Sequence, residues 1–252
     1  RFNATGTVNV TVDTFSVTNE PIVDGKVTID VDDYLTAGNY TVYVDYNGNV
    51  NYTSSSAQKD FEVAKADPTM TVEVQNITYG DIEHITVNVK SSGNVTIKVD
   101  GREETIVLKN GQTVTVVLRA IVNSLETFDG TAVLDVKGLN VGEYPVTVTY
   151  NGNENYNAKT IKTTFFVTKD NVTVGVDVAD IRADGKEVIN VTLSNINATG
   201  NVIINVDGKN YTRNISEGKA NLTLSGLSSA THSVVVIYEG DNNFNGNWTS
   251  ES

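Results

Sequence analysis

"YNGNENYNAK" runs from Tyr150 to Lys159, and related phrases stand at "YNGNVNYTSS", Tyr46 to Ser55, and "YEGDNNFNGN", Tyr238 to Asn247. Each copy follows a run in which apolar and polar residues alternate: "TVYVDY", "PVTVTY" and "SVVVIY". Strict alternation places one apolar and one polar face on a β-strand. A phrase rich in Gly and Asn at the end of such a strand has turn chemistry. It is therefore predicted to be the last hairpin loop of a domain written three times, since repeats of this size mark tandem domains rather than one enzyme body.

Working outward, a second alternating block recurs upstream as "TVNVTVD" (Thr7 to Asp13), "NVTIKVD" (Asn94 to Asp100) and "NVIINVD" (Asn201 to Asp207), each preceded by a glycine: Gly6, Gly93 and Gly200. Between the two blocks, Leu35-Thr-Ala-Gly-Asn-Tyr40 aligns with Leu139-Asn-Val-Gly-Glu-Tyr144 and, more loosely, with Leu227-Ser-Ser-Ala-Thr-His232. A tyrosine two residues after a glycine at the start of the penultimate strand has the pattern of a tyrosine corner, in which the phenol bonds to nearby backbone. Tyr40 and Tyr144 are thus read as structural. His232 takes the same place in the third copy and is read as a structural, not catalytic, histidine.

The combination of "GNVTIKVDG", "GLNVGEYPVTVTY" and "NGNENYNAKTIKTTFFVTK" resembles the bacterial-type immunoglobulin-like repeats of prokaryotic surface proteins, and is most like repeats in the adhesin-like proteins of methanogenic archaea. The resemblance covers nearly all of the chain. It implies an all-β fold of tandem antiparallel β-sandwiches arranged as an elongated rod. For a ligand it implies little, because such repeats serve as stalks and as binding heads alike.

The repeat sets the expected boundaries near "VAKADP" and "VTKDN", where Pro68 removes a backbone donor as the chain leaves one sheet for another. The expected units are 1–65, 66–169 and 170–252. The first begins at its Gly6 strand and is predicted to lack the N-terminal strands that precede Gly93 and Gly200. The third is predicted to lack its last strand, the counterpart of "TTFFVTK". The middle unit carries an insertion near 110–130, read as a strand followed by a short helix through Leu118, Ile121, Val122 and Leu125. Two readings of that insertion stay open: an extra strand pair or edge cover, and a lobe specific to one partner. Burial contributes roughly 25 cal/mol per Å² of apolar surface, so missing strands weaken the outer units, and only the middle one is expected to fold autonomously.

Composition agrees with strands, since Val, Thr, Ile and Tyr are abundant and Met, Leu and Ala modest. A net charge of −13 argues against a nucleic-acid partner. Cysteine is absent, which excludes disulfides and thiolate metal sites, and no apolar run is long enough to span a membrane.

No catalytic constellation is legible. His84 and His232 fall in different units, and the pairs Asp32-Asp33 and Glu103-Glu104 are strand neighbours whose side chains diverge. Neither a nucleophile elbow nor a phosphate loop is present. The chain is read as no enzyme, with no cofactor; calcium at a domain joint, held by Asn153, Glu154, Asn155 and Asp67 with Asp32 and Asp33, is the one metal considered. Sequons begin at Asn3, Asn9, Asn39, Asn51, Asn76, Asn94, Asn171, Asn190, Asn197, Asn210, Asn214, Asn221 and Asn247. They are either glycan acceptors on an exported glycoprotein or a by-product of strands that start with Asn and alternate with Thr.

The expected role is extracellular, at a cell surface: an adhesive or structural array whose partner is cell-envelope or host-surface polymer, glycan or protein. Two alternatives are a filament or surface-layer subunit that self-associates through incomplete end units, with strands lent between neighbouring chains, and a passive spacer in a large exported enzyme.

Overall fold

β-Branched residues alternating with polar ones favour a pleated, half-buried backbone, and that is what forms. The computed structural model describes residues 4–31, 35–108, 113–120, 131–136, 138–182 and 185–251. Every regular element among them is a strand.

The first unit contains β1 (Thr7–Val12), β2 (Phe15–Pro21), β3 (Gly38–Tyr46) and β4 (Ser55–Val63), in one sheet ordered β2-β1-β3-β4. The middle unit contains β5 (Met70–Glu73), β6 (Ile77–Thr78), β7 (Glu83–Val89), β8 (Gly93–Val99), β9 (Arg102–Leu108), β10 (Thr113–Ala120), β11 (Thr131–Val136), β12 (Gly142–Tyr150) and β13 (Lys159–Thr168). They form two sheets, ordered β11-β10-β7-β5 and β6-β13-β12-β8-β9. The third unit contains β14 (Val174–Asp177), β15 (Lys186–Leu193), β16 (Asn201–Val206), β17 (Lys209–Asn214), β18 (Lys219–Ser225), β19 (Val234–Gly240) and β20 (Asn245–Glu251), in sheets β14-β15-β18 and β17-β16-β19-β20. The fold is all-β: the middle and third units are immunoglobulin-like, mainly antiparallel two-sheet sandwiches, and the first is a single four-stranded sheet among the described residues.

The repeated phrases occupy equivalent places. Val10 faces Val44, Ile97 faces Val148 and Ile204 faces Val236 in the central antiparallel pair of each unit. The leading glycines all adopt positive φ, and at Gly93 (φ 145°) a Cβ would lie 2.7 Å from the Tyr150 ring, so no side chain fits there.

Cores differ between units. Ile85, Val87, Ile97, Val146, Val148 and Phe165 are fully enclosed in the middle unit, and Ile189, Ile204, Leu222, Val236 and Phe244 are enclosed in the third. In the first unit the buried apolar residues are Val8, Val10 and Val12. Its sheet faces a shallow cleft of about 350 Å³ shared with Ile22, Val27 and Ile29, because no second sheet covers it among the described residues.

Two expectations need correction. The third unit does not lack its last strand: β20 pairs with β19 as β13 pairs with β12, with Tyr238 opposite Asn247 as Tyr150 is opposite Lys159. The loop supplies the register, so pairing starts without the apolar "FFV" that ends β13. In the middle unit, Phe165 and Val167 continue that pairing, opposite Tyr144 and Gly142, and Val167 also pairs with Ile77 of β6. The corresponding position in the third unit is a cleft of about 800 Å³ between Val178–Arg182 and Leu227–His232.

The other correction concerns the insertion. Leu118 belongs to β10, opposite Glu83, because "TVTVV" sustains antiparallel pairing with β7 past the point where a helical spacing begins. Ile121, Val122 and Leu125 lie outside the described residues. β10 sits beside β7 as β18 sits beside β15, and β11 pairs parallel on its outer edge, so the insertion adds a strand to the sheet.

Hydrogen exchange on the dilute full chain should find slow amides around Ile97, Val148, Ile204 and Val236, and fast exchange throughout β1 to β4. This revises the expectation that only the middle unit folds autonomously, and equal protection of the first unit in a proven monomer would overturn it.

Candidate functional site

The thrice-written loop is a preformed turn. The Asn153 Oδ1 accepts the amides of Asn155 and Tyr156 at 2.8 and 2.9 Å, and Asn49 does the same for Asn51 and Tyr52 at 2.8 and 2.9 Å. In the third loop Asp241 replaces the asparagine and accepts from Asn243 and Phe244 at 2.7 and 2.8 Å. Burial alone would raise the Asp241 carboxyl, but bonds from the Thr199 hydroxyl and amide and from these two loop amides outweigh it and hold it below the usual value. Such Asx turns fix a loop without regular structure.

Two of the loops meet the preceding unit. Asn155 Oδ1 accepts the Ala37 amide at 2.8 Å, and Asn243 Oδ1 accepts the Val141 amide at 3.0 Å. Ala37 and Val141 are the same position of the corner motif. Below each contact the exit of the preceding strand runs parallel to the loop, Ala66 beside Tyr156 and Asp170 beside Phe244. The Ala66 amide donates to the Asn155 carbonyl at 2.9 Å and its carbonyl accepts from Asn157 at 2.9 Å; Asp170 repeats both with Asn243 and Asn245 at 3.0 and 2.8 Å. Lys65 Nζ donates to the Asn153 carbonyl at 2.7 Å, and Lys169 Nζ donates to the Asp241 carbonyl. At the second joint, Asn243 Nδ2 also donates to Asn140 Oδ1 at 3.1 Å, and Tyr79 meets Phe244 edge-on with centroids 5.2 Å apart.

Calcium competes with these bonds. The Asn153 and Asn155 side-chain oxygens accept amides, Asp67 Oδ1 accepts Asn157 Nδ2 at 2.9 Å, Glu154 is exposed, and Asp32 and Asp33 lie outside the described residues. Among the described residues no three His, Asp or Glu groups gather at metal-binding distance. Sequence reasoning considered the loop carboxamides only as candidate calcium ligands and did not find their part in the joint. The better signal was the Lys at each unit exit, Lys65 and Lys169, recurring with an Asn five residues after each loop tyrosine, Asn155 and Asn243.

The corner residues close their own loops. Tyr40 OH donates to the Thr36 carbonyl at 2.8 Å and Tyr144 OH to the Asn140 carbonyl at 2.9 Å. In the third unit His232 Nε2 lies 2.9 Å from the Ser228 carbonyl, and Nδ1 lies 2.5 Å from Asp207 Oδ2. Both partners only accept, so both ring nitrogens donate and the ring is an imidazolium. Asp207 first, and the Ser228 carbonyl second, raise the histidine above its ordinary value, and His232 in turn lowers Asp207. Ser228 offers its carbonyl and not its hydroxyl, so no Ser-His-Asp relay is assembled. His84 is exposed on β7, and Glu103 pairs with Lys98 at 2.8 Å.

The sequon asparagines Asn39, Asn51, Asn76, Asn94, Asn171, Asn190, Asn197, Asn210, Asn214, Asn221 and Asn247 are exposed; Asn9 is half-buried and Asn3 lies outside the described residues. Several are already engaged. Asn76 Oδ1 accepts the Phe166 amide at 2.9 Å, Asn171 Oδ1 accepts Asn245 Nδ2 at 2.9 Å, and Asn247 Nδ2 donates to the Val172 carbonyl at 2.8 Å. A glycan replaces a hydrogen of Nδ2, so it competes directly with the bond of Asn247.

No family model matches the chain, and no curated protein matches it. Among solved structures it is similar to the fibronectin(III)-like modules of Clostridium thermocellum CbhA, at 13% identity over 72% of this chain and 91% of that one, with a TM-score of 0.26. It is also similar to a Ca2+-stabilized, ice-binding adhesin of an Antarctic bacterium, at 16% identity over 98% of this chain and 63% of that one, with a TM-score of 0.29. The FN1–FN3 domains of chicken CNTN1 align at 10% identity over 98% and 88% of the two chains, with a TM-score of 0.24. None of these likenesses bears on the chemistry of the site.

Removing the corner hydroxyl in Tyr144→Phe keeps the ring stacked on Phe165 and loses one bond, an expected cost of about 1 kcal/mol. Calorimetry checks this, and an unchanged melting temperature would remove the corner bond from the account.

The His232–Asp207 pair gives a pH dependence. The histidine value is raised on folding, so its contribution is full below the unfolded value and is lost as pH rises through the folded one; the aspartate value is lowered, so its contribution is lost as pH falls through that value. Protection of the third unit should therefore decline on the alkaline side of the ordinary histidine value. In His232→Tyr, which restores the corner residue of the other units, that alkaline decline should vanish; a slope that persists in this variant refutes the assignment.

Proposed function

We propose that the chain is a non-enzymatic segment of an extracellular cell-surface array, akin to the adhesin-like repeat proteins of methanogenic archaea, which projects or forms a surface that binds envelope polymer, glycan or protein. The observation that carries this reading is the joint built twice to the same pattern. A cation, two main-chain bonds and a carboxamide bridge recur at Lys65–Asn157 and at Lys169–Asn245. Joints with fixed partners limit bending, and stiffness is what a projecting stalk requires. Exposed sequon asparagines fit an exported glycoprotein, and the acidic charge keeps such a surface from sticking nonspecifically.

Small-angle scattering should return an elongated monomer, and Asn155→Ala with Asn243→Ala should broaden its distance distribution while leaving each core intact. Material from the native source should carry mass above the polypeptide in discrete sugar increments, and immobilised chain should retain intact envelope polymer. A compact particle with a bare mass and no retention would sink the proposal.

A further inference from the structure

The outer face of the four-stranded sheet in the third unit breaks a pattern that the other two units keep. One row of that face runs straight across the strands, where Thr212, Ile203, Ile237 and Trp248 pair in turn. The same row of the middle unit reads Thr105, Thr96, Thr149 and Thr160, and its hydroxyls pair off at 3.1 and 3.0 Å. In the first unit Asn9, Asp45 and Ser56 hold the row, with the Ser56 hydroxyl donating to Asp45 at 2.5 Å. Among the described residues only the third unit places apolar side chains there, and Trp248 is 65% exposed and Ile237 39% exposed. The middle unit, which has chain on both sides of it, leaves this face open too: Thr160 and Lys162 are exposed and Thr149 is half-buried. Openness is therefore a property of the sandwich face.

Trp248 has room on both flanks, because its neighbours on the same face of β20 are Gly246 and Ser250. At Gly246 a Cβ would lie 2.9 Å from the Tyr238 carbonyl, which keeps that flank of the indole clear. The next row is Asn210, Asn205, Val235 and Ser250, where the middle unit has Glu103, Lys98, Thr147 and Lys162. Charged side chains thus give way to carboxamides and a hydroxyl. Among the described residues of these four strands, Glu239 is the one charged side chain on this face.

We propose that this face binds an uncharged polysaccharide from outside the chain, with a sugar ring seated on Trp248 and its hydroxyls met by the row from Asn210 to Ser250. A pyranose has a face of C–H groups and a rim of hydroxyls. The C–H groups are slightly positive and seat on the negative face of an indole, while carboxamides donate to and accept from the rim. Strands stand about 4.8 Å apart, so the row extends for about 14 Å, and linked sugars can lie along it over Ile237 and Ile203. Three apolar side chains fall far short of the roughly 800 Å² that each partner gives to a stable protein interface. The lone carboxylate repels an acidic polymer, and no cation on the face offsets it.

This site gives the surface array proposed above its ligand class, and it rests on that reading. The joints recur along the chain while this row changes, which puts binding on the third unit and leaves reach to the others.

Trp248 is the one tryptophan in the chain, so its fluorescence reports on the site alone. Unglycosylated full chain is titrated with soluble β-glucan, mannan and galactan, and with polygalacturonate as the acidic control. At least one uncharged polymer should shift the emission to the blue and shield it from acrylamide, while polygalacturonate should not. Retention on that polymer in affinity electrophoresis should weaken about tenfold in Trp248→Thr, which restores the residue of the middle unit, and be largely kept in Trp248→Tyr. Ile237→Thr, in the same row, is the second variant and should weaken retention as well. Hydrogen exchange at Val236 and Tyr238 should stay slow in all three variants, which separates a lost site from a lost fold. No response to any of the uncharged polymers overturns the proposal. So does undiminished retention in Trp248→Thr, or a response confined to polygalacturonate or to protein extracted from the envelope. Failure here leaves the array reading standing, since elongated shape and native sugar mass are measured without these polymers. A compact particle sinks that reading whatever Trp248 does.

Discussion

A peptide amide at a strand corner that no ladder uses must find an acceptor, and at Ala37 and Val141 the acceptor is a carboxamide from the next unit. Much else in the chain depends on that constraint. The acceptor must be held still, so the loop that carries it is locked by an Asx turn and by Gly152 or Gly240, where a Cβ would lie 2.8 or 2.7 Å from a loop carbonyl. The donor must also be held still, so the corner is closed by Tyr40, Tyr144 or His232 on the carbonyl four residues back. The thrice-repeated phrase is thus half of a connector, and the leucine-to-tyrosine block is the other half.

The joints and the cores follow different rules. Sandwich cores are built by alternation, which tolerates replacement of one β-branched residue by another; Val10, Ile97 and Ile204 hold one position in three units. The joints are built by hydrogen bonds of fixed geometry, and their residues vary only where a bond survives the change. Asp241 replaces Asn153 because the turn needs an acceptor, and His232 replaces Tyr144 because the corner needs a donor. That second replacement brings a charge with it. A phenol donates without titrating near neutrality, but an imidazole that must donate from both nitrogens is cationic, which explains why Asp207 lies against it.

Strands, the three repeated blocks and the corner positions of Tyr40, Tyr144 and His232 were legible in the sequence, because side-chain periodicity and fixed spacing are local properties of a chain. The same local reasoning placed a helix start at Leu118 and denied the third unit its last strand. Spacing of a few apolar residues does not separate a helix from a strand, and only the partner β7 decides it. The last strand was denied because the sequence given ends before a counterpart of the "FFV" of β13, while pairing starts from the loop register and needs no apolar residue. For the candidate site, the sequence brought Asn153, Glu154 and Asn155 to a joint and offered calcium as the one metal to consider there, but it did not show that the side-chain oxygens of Asn153 and Asn155 serve backbone amides. Which donor a carboxamide oxygen serves depends on a neighbour more than a hundred residues distant in sequence, as Asn155 is from Ala37. Periodicity and spacing therefore fixed the units, and the long-range hydrogen bonds that join one unit to the next were decided only in three dimensions.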